Sequence, residues 1–344
     1  MKGRTLKFID ISGFGHSGKT IVSDYLKENN RIFSFDNNVE FELIRVPGGL
    51  LDLYYSIFEN WSLIRSSKRI KDFKKLIFRI GITPSISNPI TYFNSSGHSY
   101  EQLFKNNFIS ESLDFIDKIV ISTDRTFWPY ENLTSNTLNL VLSKFKLKFF
   151  NKLIESEILY TKRENFLFLV NEYLNNLFLH IANNSESHVL LNNSCEPFSP
   201  ECSLKILGDS YSIIVDRDPR DIYASQINQE DVFIPNFELK SGIYKMKKKM
   251  TNFENLQGFI ERYKILHENI SDINHTRVLR IKFEDFILDH KKSISNINNF
   301  LNLETNYEAK FNVSDSIKNV GIWRKYKDLN EIKIIERELK KYCY

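Results

Sequence analysis

Residues 8–27 of the sequence read FIDISGFGHSGKTIVSDYLK. Four residues of strand character, 8–11, lead directly into a glycine-rich loop at 13–20. After the loop, apolar residues recur at helical spacing, at Ile21, Val22, Tyr25 and Leu26. The loop has the pattern G-x-x-x-x-G-K-[ST], and it lies between a strand and a helix, as this pattern requires. We therefore predict a loop of P-loop type that binds a phosphate or a sulfate.

The residue types in this loop explain why it would bind an anion. Gly13, Gly15 and Gly18 allow positive φ angles and close backbone approach, so that consecutive N–H groups converge on one point. The following helix adds free N–H groups and the positive end of its dipole. Lys19 adds a mobile positive charge, and Thr20 adds a hydroxyl group. The residues predicted to contact the anion are Gly15, His16, Ser17, Gly18, Lys19 and Thr20.

Composition and charge restrict the class of protein. The chain has 344 residues, of which 42% are hydrophobic and 26% charged, as in ordinary globular proteins. A net charge of +4 suits an anionic ligand but is far below the charge of a typical nucleic-acid-binding protein. The three cysteines have no spacing typical of disulfides or zinc sites. Neither a signal-peptide core nor an apolar run of about 20 residues is present, so we expect a cytoplasmic protein without a transmembrane segment.

Four later stretches have strand patterns in addition to the first one. Residues 39–44 alternate and are predicted to form a second strand, with Glu40 and Glu42 on one face. These carboxylates would either serve as a general base or lie at a solvated edge of the sheet. The remaining strand-like stretches are residues 188–192, 212–215 and 278–283.

Residues 50–185 have mostly helical spacing, in the stretches 50–64, 70–80, 100–119 and 166–181. We interpret this region as a helical insertion between strands that shapes the acceptor side of the site. The predicted fold is thus one α/β domain over residues 1–344, a three-layer parallel sheet flanked by helices. His98 and the stretch 124–128 lie in the insertion and are expected to be structural.

A second basic group is predicted at the edge of the same sheet. The stretch 211–225 reads YSIIVDRDPRDIYAS, in which Pro219 suits the first turn of a helix. Arg217 therefore lies at the carboxyl end of a strand, where ligands bind in doubly wound sheets. An arginine beside a helix N-terminus is itself an anion site. Ser225 lies two turns into that helix, and the stretch 321–325 (GIWRK) offers an indole and two cations.

Four stretches together resemble the sulfotransferases that use 3′-phosphoadenosine 5′-phosphosulfate (PAPS). The loop 13–20 looks like the family's 5′-phosphosulfate loop. Arg217, followed by Ser225 eight positions later, is similar to the family's pair that binds the 3′-phosphate. The stretch 282–286 (KFEDF) looks like a structural strand end, and 320–325 (VGIWRK) is similar to the loop that closes over the nucleotide. The stretches 46–53 (VPGGLLDL) and 215–225 (VDRDPRDIYAS) look most like the bacterial glycan-type branch, which is found with surface-polysaccharide synthesis.

This resemblance, over residues 6–55 and 188–330, implies a reaction and a set of roles. The sulfuryl group of PAPS would pass to a hydroxyl or amine of a carbohydrate or glycolipid, releasing 3′,5′-adenosine bisphosphate without a metal ion. Lys19 would stabilise the negative charge that develops on the bridging oxygen as the sulfuryl group departs. Glu40 would be the general base. Other candidates for the base are Glu42, Asp52, His98 and His16. The nucleotide would also contact Trp323 on its adenine side and Arg324 and Lys325 at its 3′-phosphate.

Two other functions stay open from the residues alone. The G-K-T ending of the loop is typical of nucleoside triphosphatases, so the chain could be a small-molecule kinase that uses ATP–Mg²⁺. That function needs a Walker-B carboxylate, for which Asp216 is the nearest candidate. A nucleotide-gated regulatory protein is the non-catalytic alternative. The lysine-rich run 240–249 forms either a solvated face or a guide for an anionic glycan or lipid head group.

Overall fold

The structure is a computed structural model that describes residues 4–36, 39–85, 87–135, 137–227, 231–235, 243–247, 256–270, 274–303 and 313–344. Its strands are β1 (Lys7–Gly13), β2 (Ile32–Ser34), β3 (Val120–Thr126), β4 (Ser156–Thr161), β5 (His188–Asn192), β6 (Ser210–Asp216), β7 (Asp231–Pro235), β8 (Ile243–Lys247) and β9 (Val278–Lys282).

The helices lie between these strands and after the last of them. They are α1 (Thr20–Lys27), α2 (Leu50–Leu53), α3 (Leu63–Gly81), α4 (Pro89–Asn94), α5 (Tyr100–Leu103), α6 (Phe108–Ile119), α7 (Pro129–Thr134), α8 (Thr137–Phe150), α9 (Phe166–Leu179), α10 (Pro200–Leu204), α11 (Pro219–Ile227), α12 (Leu256–Glu268), α13 (Phe283–Leu288), α14 (His290–Leu301), α15 (Ser314–Ile317) and α16 (Asn330–Glu338). A π-helical segment follows α2 at Tyr54–Glu59, and 3₁₀ turns form at Ile322–Tyr326 and Lys340–Tyr342. Among the described helices, none is both long and apolar enough to cross a bilayer.

Five parallel strands form the central sheet, in the order β2-β5-β1-β6-β9. The strand β1 lies in the middle, where Ile9 is in register with Leu190 of β5 and with Tyr211 of β6. Because all five strands run the same way, their carboxyl ends lie along one edge. The loops that follow β1, β5 and β6 therefore meet at that edge, where ligands bind in such sheets.

Helices cover both faces of this sheet. Phe8 of β1 packs in a cluster with residues of α3, α6 and α9 on one face. Ile9 and Ile11 point to the other face and pack with residues of α1, α13 and α14. Strands that are covered on both faces read as nearly continuous apolar runs, which is why β1, β5 and β6 could be recognised in the sequence. The predicted α/β fold, with a parallel sheet between layers of helices, is confirmed.

The region 50–185 is helical over most of its length, but it also contains a β-hairpin that the sequence analysis missed. The strands β3 and β4 pair antiparallel, and Ser122 is in register with Tyr160. The stretch 124–128, expected to be structural, lies at the exposed end of β3 and just beyond it. The composition of β3, VISTDRT, is rich in β-branched residues. Its partner lies about 30 residues further along the chain, so no local turn signal revealed the pairing.

The prediction of a strand at residues 39–44 is wrong. Residues 39–41 have no regular secondary structure, and 42–45 form a turn. The physical reason is the buried Tyr100, whose hydroxyl donates to the Glu40 carbonyl at 2.6 Å and accepts from the Glu42 N–H at 2.8 Å. One side chain thus satisfies two backbone groups that a strand neighbour would otherwise bind. The neighbouring edge position of the sheet is filled by β2 instead.

The lysine-rich run 240–249 lies outside the described residues, apart from 243–247. These five residues form β8, which pairs antiparallel with β7. Both functions considered for the run remain predictions.

Replacing Phe178 with alanine should destabilise the fold strongly. Its ring is fully buried on α9 and lies 5.5 Å from Phe8, 5.3 Å from Phe41 and 5.2 Å from Phe104, centroid to centroid. We expect Phe178→Ala to lower the free energy of unfolding by about 3–5 kcal/mol in urea titrations. Phe168→Ala on the same helix removes a ring that is 68% exposed and should change it by less than about 0.5 kcal/mol. Equal losses would contradict this assignment of the core.

Candidate functional site

The glycine-rich loop links the end of β1 to the start of α1. Within it the Ser17 N–H donates to the Phe14 carbonyl at 2.9 Å. His16 and Gly18 have left-handed backbones, with φ of 65° and 81°. Of the three glycines expected to use positive φ angles, only Gly18 does so, and His16 occupies the other left-handed position. Left-handed positions in such a loop are typical of anion-binding nests, in which consecutive N–H groups point to one ligand.

Close packing explains why a residue without a side chain is needed at two of the three glycine positions in the loop. A Cβ on Gly13 would lie 2.5 Å from the Ser17 hydroxyl and 2.6 Å from the carbonyl of Val215 in β6. A Cβ on Gly18 would lie 2.5 Å from the ring of Phe283, the first residue of α13. Around Gly15, by contrast, no atom lies within 4 Å of such a Cβ. The loop is therefore held against β6 and α13, while Gly15 lies on its open side.

Lys19 and Glu40 form the charged pair of the site. The Lys19 ammonium lies 3.8 Å from the Glu40 carboxylate, which also accepts a hydrogen bond from the Asn193 amide. Burial lowers the pKa of Lys19, and the carboxylates of Glu40 and Asp10 partly oppose this. A half-buried cation with one distant carboxylate partner has unused capacity for a ligand anion. Asn193, which follows β5, was missed in the sequence analysis, although the carboxyl-edge rule could have indicated it.

A buried carboxylate lies beneath the loop. Asp10 of β1 accepts hydrogen bonds from the Ser12 hydroxyl at 2.6 Å, the Ser194 N–H at 2.8 Å and the Ser212 hydroxyl at 3.3 Å. Burial raises the pKa of Asp10, while these hydrogen bonds act in the opposite direction. The side chain therefore ties the end of β1 to β6 and to the loop after β5. Its position between two isoleucines of a buried strand was the available clue in the sequence.

The guanidinium of Arg217 joins three segments of the site. Its Nη1 donates to the His16 carbonyl at 2.9 Å and to the Ser225 hydroxyl at 3.2 Å, and its Nη2 donates to the Asn319 carbonyl at 2.6 Å. It also lies over the Phe283 ring, 4.7 Å from the centroid. The side chain is almost fully buried, and its Nε has no hydrogen-bond partner among the described residues. Arg217 and Ser225, predicted as a pair, are in direct contact with each other, and Arg217 also contacts the loop.

The second half of the RDPRD stretch holds the tryptophan segment near the C-terminus. The Asp221 carboxylate accepts from the N–H groups of Gly321 at 2.7 Å and Trp323 at 3.0 Å. The Arg220 guanidinium lies 4.1 Å from the centre of the Trp323 indole. The structure thus places Trp323 against α11, with the side chains of Arg324 and Lys325 exposed beside it. Their contacts with a nucleotide remain predictions.

Two of the alternative base candidates are engaged in local structure. Asp52 accepts from the Gly48 N–H at 2.7 Å and lies 3.4 Å from the Arg69 guanidinium, so it stabilises the turn before α2. The Glu42 carboxylate lies 4.0 Å from Arg45. Burial raises the pKa of Glu42, and the Arg45 charge partly opposes this.

The two histidine candidates lie on different sides of the site. Burial, together with the charges of Arg217 and Lys19, lowers the pKa of His16, and its carbonyl already binds Arg217. His98 shares a hydrogen bond of 2.8 Å with the Ser96 hydroxyl through Nδ1. Burial lowers the pKa of His98, and the Glu40 carboxylate partly opposes this. Of the base candidates, Glu40 is the one whose carboxylate lies within 4 Å of the Lys19 ammonium.

The Walker-B candidate Asp216 is occupied by an arginine. Both of its carboxylate oxygens accept from Arg280 of β9, at 2.7 and 2.9 Å. A carboxylate bound in this bidentate way is not free to hold a metal ion. A search of the described residues finds no cluster of three or more His, Cys, Asp or Glu side chains with the geometry of a metal site.

No protein-family model matches the sequence, and a search of curated proteins finds no match. Solved structures similar to this chain include the sulfotransferase domain from the curacin biosynthetic pathway, which is 13% identical with a TM-score of 0.39 over 98% of this chain and 99% of that one. A sulfotransferase from Mycobacterium avium is 12% identical, with a TM-score of 0.38 over 99% and 76% of the two chains. A sulfotransferase from Alicyclobacillus acidocaldarius is 11% identical, with a TM-score of 0.36 over 97% of this chain and 96% of that one. At these TM-scores we infer function from the residues of the site alone.

The two loop glycines at positions 15 and 18 should respond differently to a methyl group. Gly18→Ala forces an L-residue into a left-handed backbone and against the Phe283 ring, so it should lower the free energy of unfolding by at least about 1–2 kcal/mol. Gly15→Ala meets no atom within 4 Å and should leave stability almost unchanged. Urea titrations of both variants measure this difference. A destabilisation of Gly15→Ala as large as that of Gly18→Ala would show that the loop adopts another conformation.

Proposed function

We propose that the chain is a sulfotransferase that moves the sulfuryl group of PAPS to a hydroxyl or amine of an acceptor. The observation that carries the proposal is a contact between the residues of the two predicted anion sites. The Arg217 guanidinium donates both to the loop, at His16, and to Ser225 on α11. A donor with a 5′-phosphosulfate and a 3′-phosphate needs two such sites next to each other. A nucleoside triphosphate has no use for the second site.

The residues present fit such a donor. His16 and Gly18 have left-handed backbones, which suit an anion-binding nest, and Lys19 adds a cation whose pKa is lowered by burial. The buried Arg217 Nε has no partner among the described residues and is a spare donor beside Ser225. The resemblance further assigns Trp323, Arg324 and Lys325 to the nucleotide, and we retain this as part of the proposal.

PAPS supplies a sulfuryl group that is bonded to a phosphate leaving group. Lys19 and the loop N–H groups would stabilise the negative charge that develops on the leaving oxygen, and this kind of electrostatic stabilisation is the largest contribution in many enzymes. Glu40 would accept the proton of the acceptor. In the structure Lys19 and Glu40 neutralise each other. An anion that binds Lys19 leaves the Glu40 carboxylate, still held by Asn193, available to take a proton.

The acceptor that we propose is a carbohydrate or a glycolipid, as in the bacterial surface-polysaccharide enzymes that the sequence resembles. Nucleic acid is not a proposed partner, because the net charge of +4 is small for 344 residues. The kinase alternative is disfavoured because its Walker-B candidate, Asp216, is bound by Arg280 through both oxygens.

Transfer of radioactive sulfur from labelled PAPS to a panel of glycans and glycolipids tests this proposal. Lys19→Ala should lower turnover by about 10²–10³-fold, because it removes a charge that stabilises the leaving oxygen. Glu40→Gln should lower turnover by about 10²–10⁴-fold as a lost general base. Two controls, Glu42→Gln and Lys27→Ala at the other end of α1, should retain most of it. A loss with Glu42→Gln but not with Glu40→Gln would move the base to Glu42. Transfer of phosphate from ATP–Mg²⁺, without transfer of sulfur from PAPS, would contradict the proposal itself.

A further inference from the structure

Exposed apolar side chains are concentrated in residues 121–153, which run from within β3 to just before β4 and are here called the excursion. Of the large apolar side chains that are exposed in the described chain, half lie between residues 121 and 153. Single exposed apolar residues are ordinary, but a contiguous apolar surface usually marks an interaction site. The longest element of this excursion is α8, a 14-residue helix in which no residue is buried. The core therefore gives no reason for its apolar composition.

One side of α8 is apolar along its whole length. Leu138, Leu142, Phe145 and Phe149 are spaced by four, three and four residues, which places them on one face of a helix. Their side chains are 66%, 47%, 49% and 62% exposed, and the two phenylalanine rings lie 4.5 Å apart. The two helix residues that are partly buried, Leu140 and Ser143, lie on the opposite side by the same geometry. The apolar stripe therefore lies on the side of α8 away from these two residues, and Val141, Leu147 and Phe150 add exposed apolar side chains off the stripe.

Lysines flank this stripe, and no acidic residue interrupts them. Lys144, Lys146 and Lys148 lie within α8 and are exposed, and Lys152 follows it. At 100° per residue, Lys146 and Lys148 lie on the two flanks of the stripe, and Lys144 lies further round the helix. The sequence from 132 to 154 contains four lysines and no aspartate or glutamate, although the whole chain has 43 acidic residues. The local charge is therefore +4 over 23 residues.

We propose that α8 docks on the surface of a lipid bilayer that contains anionic lipids. An apolar stripe with lysines on its flanks is the arrangement of helices that lie in the plane of a membrane interface. The stripe would enter the boundary between head groups and acyl chains, and the lysines would pair with anionic head groups. A second copy of the chain would fit the apolar stripe of α8 less well than a bilayer does. In a two-fold interface the same patch meets itself, which would bring the four lysines of each copy together.

Flotation of the full chain with vesicles tests this proposal. The wild type should bind vesicles of phosphatidylcholine with added phosphatidylglycerol, bind phosphatidylcholine alone weakly, and dissociate as salt is raised. The charge reversal K144E/K146E/K148E should lower the partition coefficient roughly 100-fold or more. The variant L142S/F145S/F149S should lower it roughly tenfold or more. Because α8 has no buried residue, both variants should keep the wild-type thermal unfolding midpoint.

Matched controls change the same residue types on other surfaces of the chain. The reversal K74E/K75E/K333E alters exposed lysines of α3 and α16 and should leave most of the vesicle binding in place. The variant I265S/L288S/I317S removes exposed apolar side chains outside the excursion and should also bind normally. Absence of binding to the anionic vesicles would overturn the proposal. So would equal losses in the control variants, or a wild-type dimer that dissociates in the α8 variants without lipid.

Discussion

The candidate site depends on one buried side chain, the guanidinium of Arg217. Burying an arginine is costly unless its donors are bound, and here they reach the loop after β1, the helix after β6 and the segment before Trp323. Burial lowers the pKa of Arg217, and the carboxylates of Asp221 and Glu284 partly oppose this. Since the three acceptors come from distant parts of the chain, the same contacts that satisfy the charge also fix the relative positions of the two predicted anion sites.

The parallel sheet makes this convergence possible. With β1 between β5 and β6, the residues that follow these strands lie at one edge, so Lys19, Asn193 and Arg217 need no long loops to meet. The first residue of α13, Phe283, packs against one side of the candidate site. Phe283 contacts Gly18 and lies under Arg217, and a smaller residue there would leave both without support. The stretch 282–286, interpreted from the sequence as structural, thus acts directly on the loop.

Much of this could be predicted because the informative features are local. The loop motif and the strands β1, β5, β6 and β9 all follow from short patterns. The predictions that failed concern segments whose partners are distant in sequence. The paired strands β3 and β4 are about 30 residues apart, and the segment at 39–44 is held by Tyr100 rather than by a neighbouring strand. Glu40 was expected near the site for a partly wrong reason, since a segment without regular secondary structure, and not a strand face, presents it to Lys19. Asp10 was missed because its role rests on tertiary hydrogen bonds.

Isothermal titration with 3′,5′-adenosine bisphosphate and with ATP–Mg²⁺, side by side and without an acceptor, tests the central claim most directly. The proposed pair of adjacent anion sites, joined by Arg217, predicts that the bisphosphate binds more tightly and without metal. Arg217→Ala should then weaken its binding roughly 10- to 100-fold. Ser225→Ala should weaken it less, because a hydroxyl contributes a weaker, neutral hydrogen bond. Tighter binding of ATP–Mg²⁺, with no effect of either substitution on the bisphosphate, would contradict the account.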